Sequence, residues 1–153
     1  MGLLIGGIIV SNININTGEI SLTINDDESR VITFNPNDLE FVNNLYELLA
    51  ELEMKEKEYK NRESELEKNT EVNSYGIPVN LKEKIEFLKG ICEYMRKKID
   101  TVFGEGTSKK AFGNSNTLDM FEQFFEGITP YIEKVRSSKI GKYTNKNKKN
   151  VMK

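Results

Sequence analysis

An α+β fold, with a small amino-terminal antiparallel β-meander followed by a bundle of three main α-helices, follows from three features of this 153-residue sequence. Apolar residues alternate with polar ones between Ile13 and Phe34, as Ile20, Leu22 and Ile24 do with Ser21, Thr23 and Asn25, and a period of two is that of a half-buried strand. From residue 35 onward apolar residues recur at steps of three and four, the period of an amphipathic helix. The two patterns occupy separate stretches of chain, which favours strands and helices segregated in space over a strand-helix alternation. One domain is expected, organised as a strand segment over 1–34, a helical bundle over 35–137 and a basic, disordered tail over 138–153.

The first ten residues are apolar but for glycine. They are too few to span a bilayer, which needs about 20, and no basic region precedes them. A buried or paired strand is expected, and an upstream extension of a product that begins near Val10 or Ser11 is the alternative. Ile13 and Ile15 suggest another strand, Thr17-Gly18 a turn, 20–24 a strand, the polar run 25–29 a second turn, and Val31 to Phe34 a last strand. The acids Asp26, Asp27 and Glu28 lack the spaced ligands and distal glutamate of a calcium loop, so a solvated hairpin turn is expected.

Asn35-Pro36-Asn37-Asp38 reads as a helix start with Asn35 as N-cap and Pro36 in the first turn. The apolar stripe then runs through Leu39, Val42, Leu45 or Tyr46, Leu49 and Leu52, and thins to Met54, Tyr59 and Leu66. Four i,i+4 pairs, Glu51 with Lys55, Glu53 with Lys57, Glu56 with Lys60 and Glu58 with Arg62, are expected to extend this helix into solvent. A loop over 69–78 ends at Asn80, which with Glu83 has the spacing of a capping box. The next helix carries the cleanest seam, Leu81, Ile85, Leu88, Cys92, Met95, Ile99 and Val102, which makes Cys92 a core thiol.

Gly104, Gly106 and Gly113 frame a corner in which Gly104 and Gly113 are expected as left-handed C′ residues, Thr107 or Ser108 as the cap of a short turn through Phe112, and Phe103 and Phe112 as neighbours in one core. The glycine-lysine spacing does not match a phosphate loop, which also needs a preceding strand. A last helix follows from Leu118, Phe121, Phe125, Ile128 and Ile132, with Phe124 and Tyr131 widening its face and Pro130 predicting a kink or pause at 127–129. Phe121, Phe124, Phe125 and Tyr131 carry more apolar bulk than a small bundle needs, so this set is the candidate partner-binding face. Beyond Glu133 the chain has no acid and many lysines, without the interleaved aromatics of a nucleic-acid reader.

Charged residues make up 30 % of the chain and nearly cancel, leaving a net charge of -2, which gives no global pull toward nucleic acid. Histidine is absent and Cys92 is the lone cysteine, so the commonest general base, the commonest metal ligand and any internal disulfide are missing. No enzyme, metal site or cofactor is expected.

The block 99–113, IDTVFGEGTSKKAFG, with NTLDMF at 116–121 and FFEGITPYI at 124–132, resembles small proteins encoded in the tail modules of phages and prophages of Gram-positive bacteria, the tail assembly chaperones. The similarity is most specific between Cys92 and Tyr143, weaker over Phe34 to Tyr59, and does not extend to the amino-terminal segment. It implies a chaperone acting in the host cytoplasm that binds the tape-measure protein, and in some cases the tail-tube subunit, before tube assembly; self-association is compatible with it. The alternative is a structural protein retained in the virion. Proteins of this kind are often made in two lengths by ribosomal slippage, and the lysine-asparagine run 146–150 is where adenine-rich codons would favour it.

Overall fold

The computed structural model describes residues 3–133. Along the chain come β1 (Leu3–Ile5), β2 (Ile8–Val10), β3 (Ile20–Ile24), β4 (Asp27–Phe34), α1 (Leu39–Glu67), α2 (Leu81–Phe103), α3 (Thr107–Phe112) and a further helix, α4, over 118–133. The architecture is α+β, as expected. The basic tail and the 146–150 run lie outside the described residues.

The strands form two separate antiparallel hairpins, not one meander. Ile13 and Ile15 belong to neither and are exposed. The intervening asparagines explain the break, because their side chains bond locally and compete with a ladder. Asn12 donates to Asn14, and the Asn16 side chain accepts from the Gly18 amide at 2.9 Å. Both hairpins turn on two residues of positive φ, Gly6-Gly7 in the first and Asn25-Asp26 in the second, the geometry that matches strand twist. The second turn is thus shorter than the polar run 25–29 suggests. Asp27 already pairs with Ile24, and the register then jumps so that Thr23 faces Val31. The amide and hydroxyl of Ser29 bond the Asp27 carboxylate at 2.9 and 2.6 Å and hold its pKa below the ordinary aspartate value.

α1 begins three residues later than the proline suggests. Asp38 is its N-cap and accepts from the Glu40 amide at 3.0 Å, whereas Asn35 caps a preceding turn by accepting from the Asn37 amide. The buried stripe is correspondingly rotated. Phe41, Leu45 and Leu48 are buried, with Val42 and Leu52 partly so, while Leu39 is 84 % exposed and Tyr46 and Leu49 face solvent. Of the four expected i,i+4 pairs only Glu56–Lys60 forms, at 3.0 Å; Lys55 and Arg62 pair at i,i+3, and Glu51 reaches across to Lys98 of α2 at 2.9 Å. The far half of α1 is therefore not a bare extension. Tyr59 meets Phe87 edge-on at 6.0 Å, and Leu66 is buried where the two helices join.

Asn80 precedes α2 but makes no side-chain cap and no reciprocal box. Its amide instead donates to the Leu66 carbonyl at 2.8 Å, which ties the end of α1 to the start of α2. Only the carboxyl-terminal half of the expected seam is buried: Cys92, Met95, Ile99 and, one position beyond Val102, Phe103. Leu81, Ile85 and Leu88 stay more than a third exposed. Burial pushes the Cys92 thiol up in pKa, as suits an inert core group.

α4 continues through Pro130 without a pause. The proline removes one donor, and the Thr129 hydroxyl bonds the Phe125 carbonyl at 2.5 Å in the same turn. Ile128 and Ile132, buried on either side of the proline, keep the helix seated. The core is strongly aromatic. Phe34, Phe41 and Phe103 pack mutually at 5.3–5.4 Å, Phe103 meets Phe124 at 5.2 Å, and Phe112 joins through Phe121 and Phe124.

Candidate functional site

The site grows from the glycine-framed corner. Gly104, Gly106 and Gly113 all have positive φ, at 113°, 89° and 59°. Only Gly106 is left-handed helical; Gly104 at ψ 145° and Gly113 at ψ -129° sit in more extended backbone that side chains disfavour still more. Gly106 precedes α3, so neither Thr107 nor Ser108 is its cap, and both are buried within it. The capping group comes from α2. Asp100 accepts from the Ser108 amide at 2.8 Å and from its hydroxyl at 3.0 Å.

At the other end of α3, Arg30 of β4 donates to the Lys110 and Ala111 carbonyls at 2.7 and 2.8 Å. A carboxylate thus sits at the positive end of the short helix and a guanidinium at its negative end. Neither residue stands out in the sequence by type alone. Asp100 had one available signal, since an acid in the last turn of α2 opposes that helix's own dipole and needs a donor elsewhere. Arg96 adds a third strap, donating to the Ser115 carbonyl at 2.5 Å with its guanidinium 5.6 Å from the Phe112 ring centre.

This clamp holds α3 as one wall of an open trough of about 840 Å³ between the β3–β4 hairpin and α4. Leu22, Ile24 and Ile32 line the sheet side, Phe112 and Gly113 the corner, and Met120, Phe124, Ile128 and Tyr131 the helix side. Eight polar residues, among them Asp26, Arg30 and Gln123, also line the trough, so its surface is mixed. Gly127 also lines it, and a Cβ there would meet nothing within 4 Å. Of the four aromatics singled out in the sequence, Phe121 and Phe124 are buried in the core, Phe125 is half-buried against Phe124, and Tyr131 is 45 % exposed. Phe124 and Tyr131 come together in the trough; Phe121 and Phe125 are not among its lining.

A second, shallower groove of about 630 Å³ lies between α1 and α2, floored by Tyr59, Phe87 and Tyr94. Lys55 and Lys98 lie 5.3 and 5.7 Å from the Tyr94 ring centre. The Tyr94 hydroxyl is shielded from solvent and approaches Glu51 without reaching full hydrogen-bond geometry. Burial, with that carboxylate facing it, pushes the phenol pKa well above its usual range, and the hydroxyl and Lys98 together hold Glu51 below the usual carboxylate value.

A family model, described as a family of unknown function (DUF6673), matches residues 28–153. The chain belongs to that family. The DUF6673 match takes in nearly all of β4 and every helix, including Arg30, Asp100 and the three corner glycines, and leaves out β1, β2 and β3. No curated protein and no solved structure matches the chain. Among the described residues no three cysteine or acidic side chains converge as metal ligands, and no helix is long and apolar enough to cross a membrane.

Proposed function

We propose that this protein is a tail assembly chaperone of a Gram-positive phage or prophage, holding a helical segment of the tape-measure protein in the host cytoplasm until the tail tube polymerises. The trough between the β3–β4 hairpin and α4 carries the reading: it is open and lined by apolar side chains from both walls interspersed with polar ones, a mixed surface that suits an amphipathic helix. The resemblance over 92–143 supports it, since that stretch supplies the corner and α4. Holding needs no chemistry from the site. Covering an apolar seam on the client is sufficient, and Tyr131 offers an exposed aromatic side chain on a helix already fixed by packing.

Co-expression with a tape-measure protein of a Gram-positive phage tests the reading. The intact chain is expected to co-purify with it, Tyr131→Glu to lose it, and Tyr75→Glu, which alters a still more exposed tyrosine in the 69–80 loop, to retain it. Equal capture by all three, or by none, contradicts the proposal.

A second reading, a structural component kept in the virion, draws on the uncovered β1–β2 hairpin, whose free edges suit addition to a neighbouring sheet. Mass spectrometry of purified particles separates the two, because a chaperone is absent from them.

A further inference from the structure

The two walls of the trough are acidic, and little in the body of the protein answers them. Residues 19–34 and 118–133 carry eight acids and one base, Arg30, whose guanidinium is engaged by the Lys110 and Ala111 carbonyls at 2.7 and 2.8 Å. On α4, Asp119, Glu122, Glu126 and Glu133 are all exposed, and Glu122 and Glu126 each precede a residue of the trough lining, Gln123 and Gly127. Among the described residues none of the eight acids forms an ion pair, whereas α1 sets Glu51, Glu56, Glu58 and Glu65 against Lys98, Lys60, Lys55 and Arg62. The complement lies in the same sequence. Residues 134–153, outside the described residues, carry eight bases and no acid, with Ile140 and Tyr143 among the lysines.

We infer that the basic segment 134–153 folds back over the trough of its own chain, setting lysines against the acids of both walls and Ile140 and Tyr143 against the apolar lining, and so keeps the site covered until a partner displaces it. Length permits this. The segment starts three residues after Tyr131, which itself lines the trough. A helix over 118–133 runs about 24 Å, and twenty residues reach up to roughly 66 Å extended, so a return along the whole wall takes about half of them. Tethering places the segment at an effective concentration on the order of millimolar, ahead of the same segment from a second copy. Exposed ion pairs are individually weak, so the cover yields to a partner that buries apolar side chains. The DUF6673 match over 28–153 takes in β4, α4 and this segment together. The cover is a property of the trough and does not depend on the client being a tape-measure segment.

Carbodiimide cross-linking of the full chain, which joins a lysine amine to a carboxylate in contact with it, tests the inference when run on an equal mixture of isotope-labelled and unlabelled protein and read by peptide mass spectrometry. Links from Lys139, Lys142 or Lys146 to Asp26, Glu122 or Glu126 are expected within one copy, and are expected to disappear in about 1 M salt, where the screening length is about 3 Å. Ile140→Asp/Tyr143→Asp, which leaves every lysine in place, is expected to lower their yield several-fold. Links spread equally over the acids of α1, links found only between copies, no links from these three lysines, or an unchanged yield in the double variant would each overturn it.

Discussion

The two β-hairpins turn on the same kind of two-residue loop and draw on the same apolar residue types, yet one is built into the core and the other stands clear of it. In β3–β4 the ladder sets Ile20 against Phe34 and Leu22 against Ile32, with Ser21 and Thr33 joined at 2.9 Å on the outer face. Ile32 and Phe34 are buried, and Ile20, Leu22 and Ile24 pack against the same cluster. In β1–β2 nothing alternates and nothing is buried. Alternation therefore does more than mark a strand: it states that one face has a cover within the chain. The hairpin that is apolar on both faces has no cover among the described residues.

The largest expected effect separates the two hairpins by stability. Phe34→Ala removes a ring in contact with both Phe41 and Phe103 and is expected to cost about 3–5 kcal/mol, measured by denaturant unfolding. Ile9→Ala in the arm is expected to change the same quantity by less than about 0.5 kcal/mol. Equal losses would break the comparison.

Next in size are the substitutions at the corner against which β4 packs. Gly113→Ala has space for the added methyl, so its cost is backbone strain alone, about 1–3 kcal/mol. The same change at Gly7, also at positive φ, is expected to leave global unfolding untouched because every residue of that hairpin is exposed. Asp100→Ala, which uncaps α3, is expected to cost about 1 kcal/mol by thermal or chemical unfolding.

Much of this was legible in the sequence, for reasons that differ by residue. The α+β class, the corner glycines, the α2 seam around Cys92 to Ile99 and the β3 strand all rest on local patterns that packing then used. The misreadings arose where several apolar residues competed for one helix face. In α1, Leu39 and Leu49 fit a three-and-four rhythm as well as Phe41, Leu45 and Leu48 do, and only the position of Phe34 and Phe103 decides which stripe turns inward. Half of the α2 seam stays open because periodicity reports an apolar face without reporting how far its cover extends. In the trough, Tyr131 and Phe124 were visible as aromatic bulk, whereas the sheet wall and the Arg30 clamp depend on contacts between residues some eighty positions apart.

The smallest effect sharpens the contrast at high pH. Residues 3–18 contain no titratable side chain, so alkaline loss of stability must come from the packed body. Tyr94, its pKa raised by burial, stays protonated in the folded chain above the usual phenol value of about 10, while the unfolded chain ionises. Stability is therefore complete below that pH and falls as pH rises beyond it. Tyr94→Phe is expected to flatten the alkaline decline. An unchanged decline in the variant would show that Tyr94 is not its source.

The central claim is that the proposed client would occupy the trough between the β3–β4 hairpin and α4 and not the amino-terminal hairpin. Amide hydrogen exchange on the chain alone and on its complex with the tape-measure protein tests this most directly. The account predicts added protection over 20–34 and 118–131 on client binding, with exchange over 3–10 unchanged. Added protection confined to 3–10, with none along the β3–β4 hairpin and α4, would contradict it.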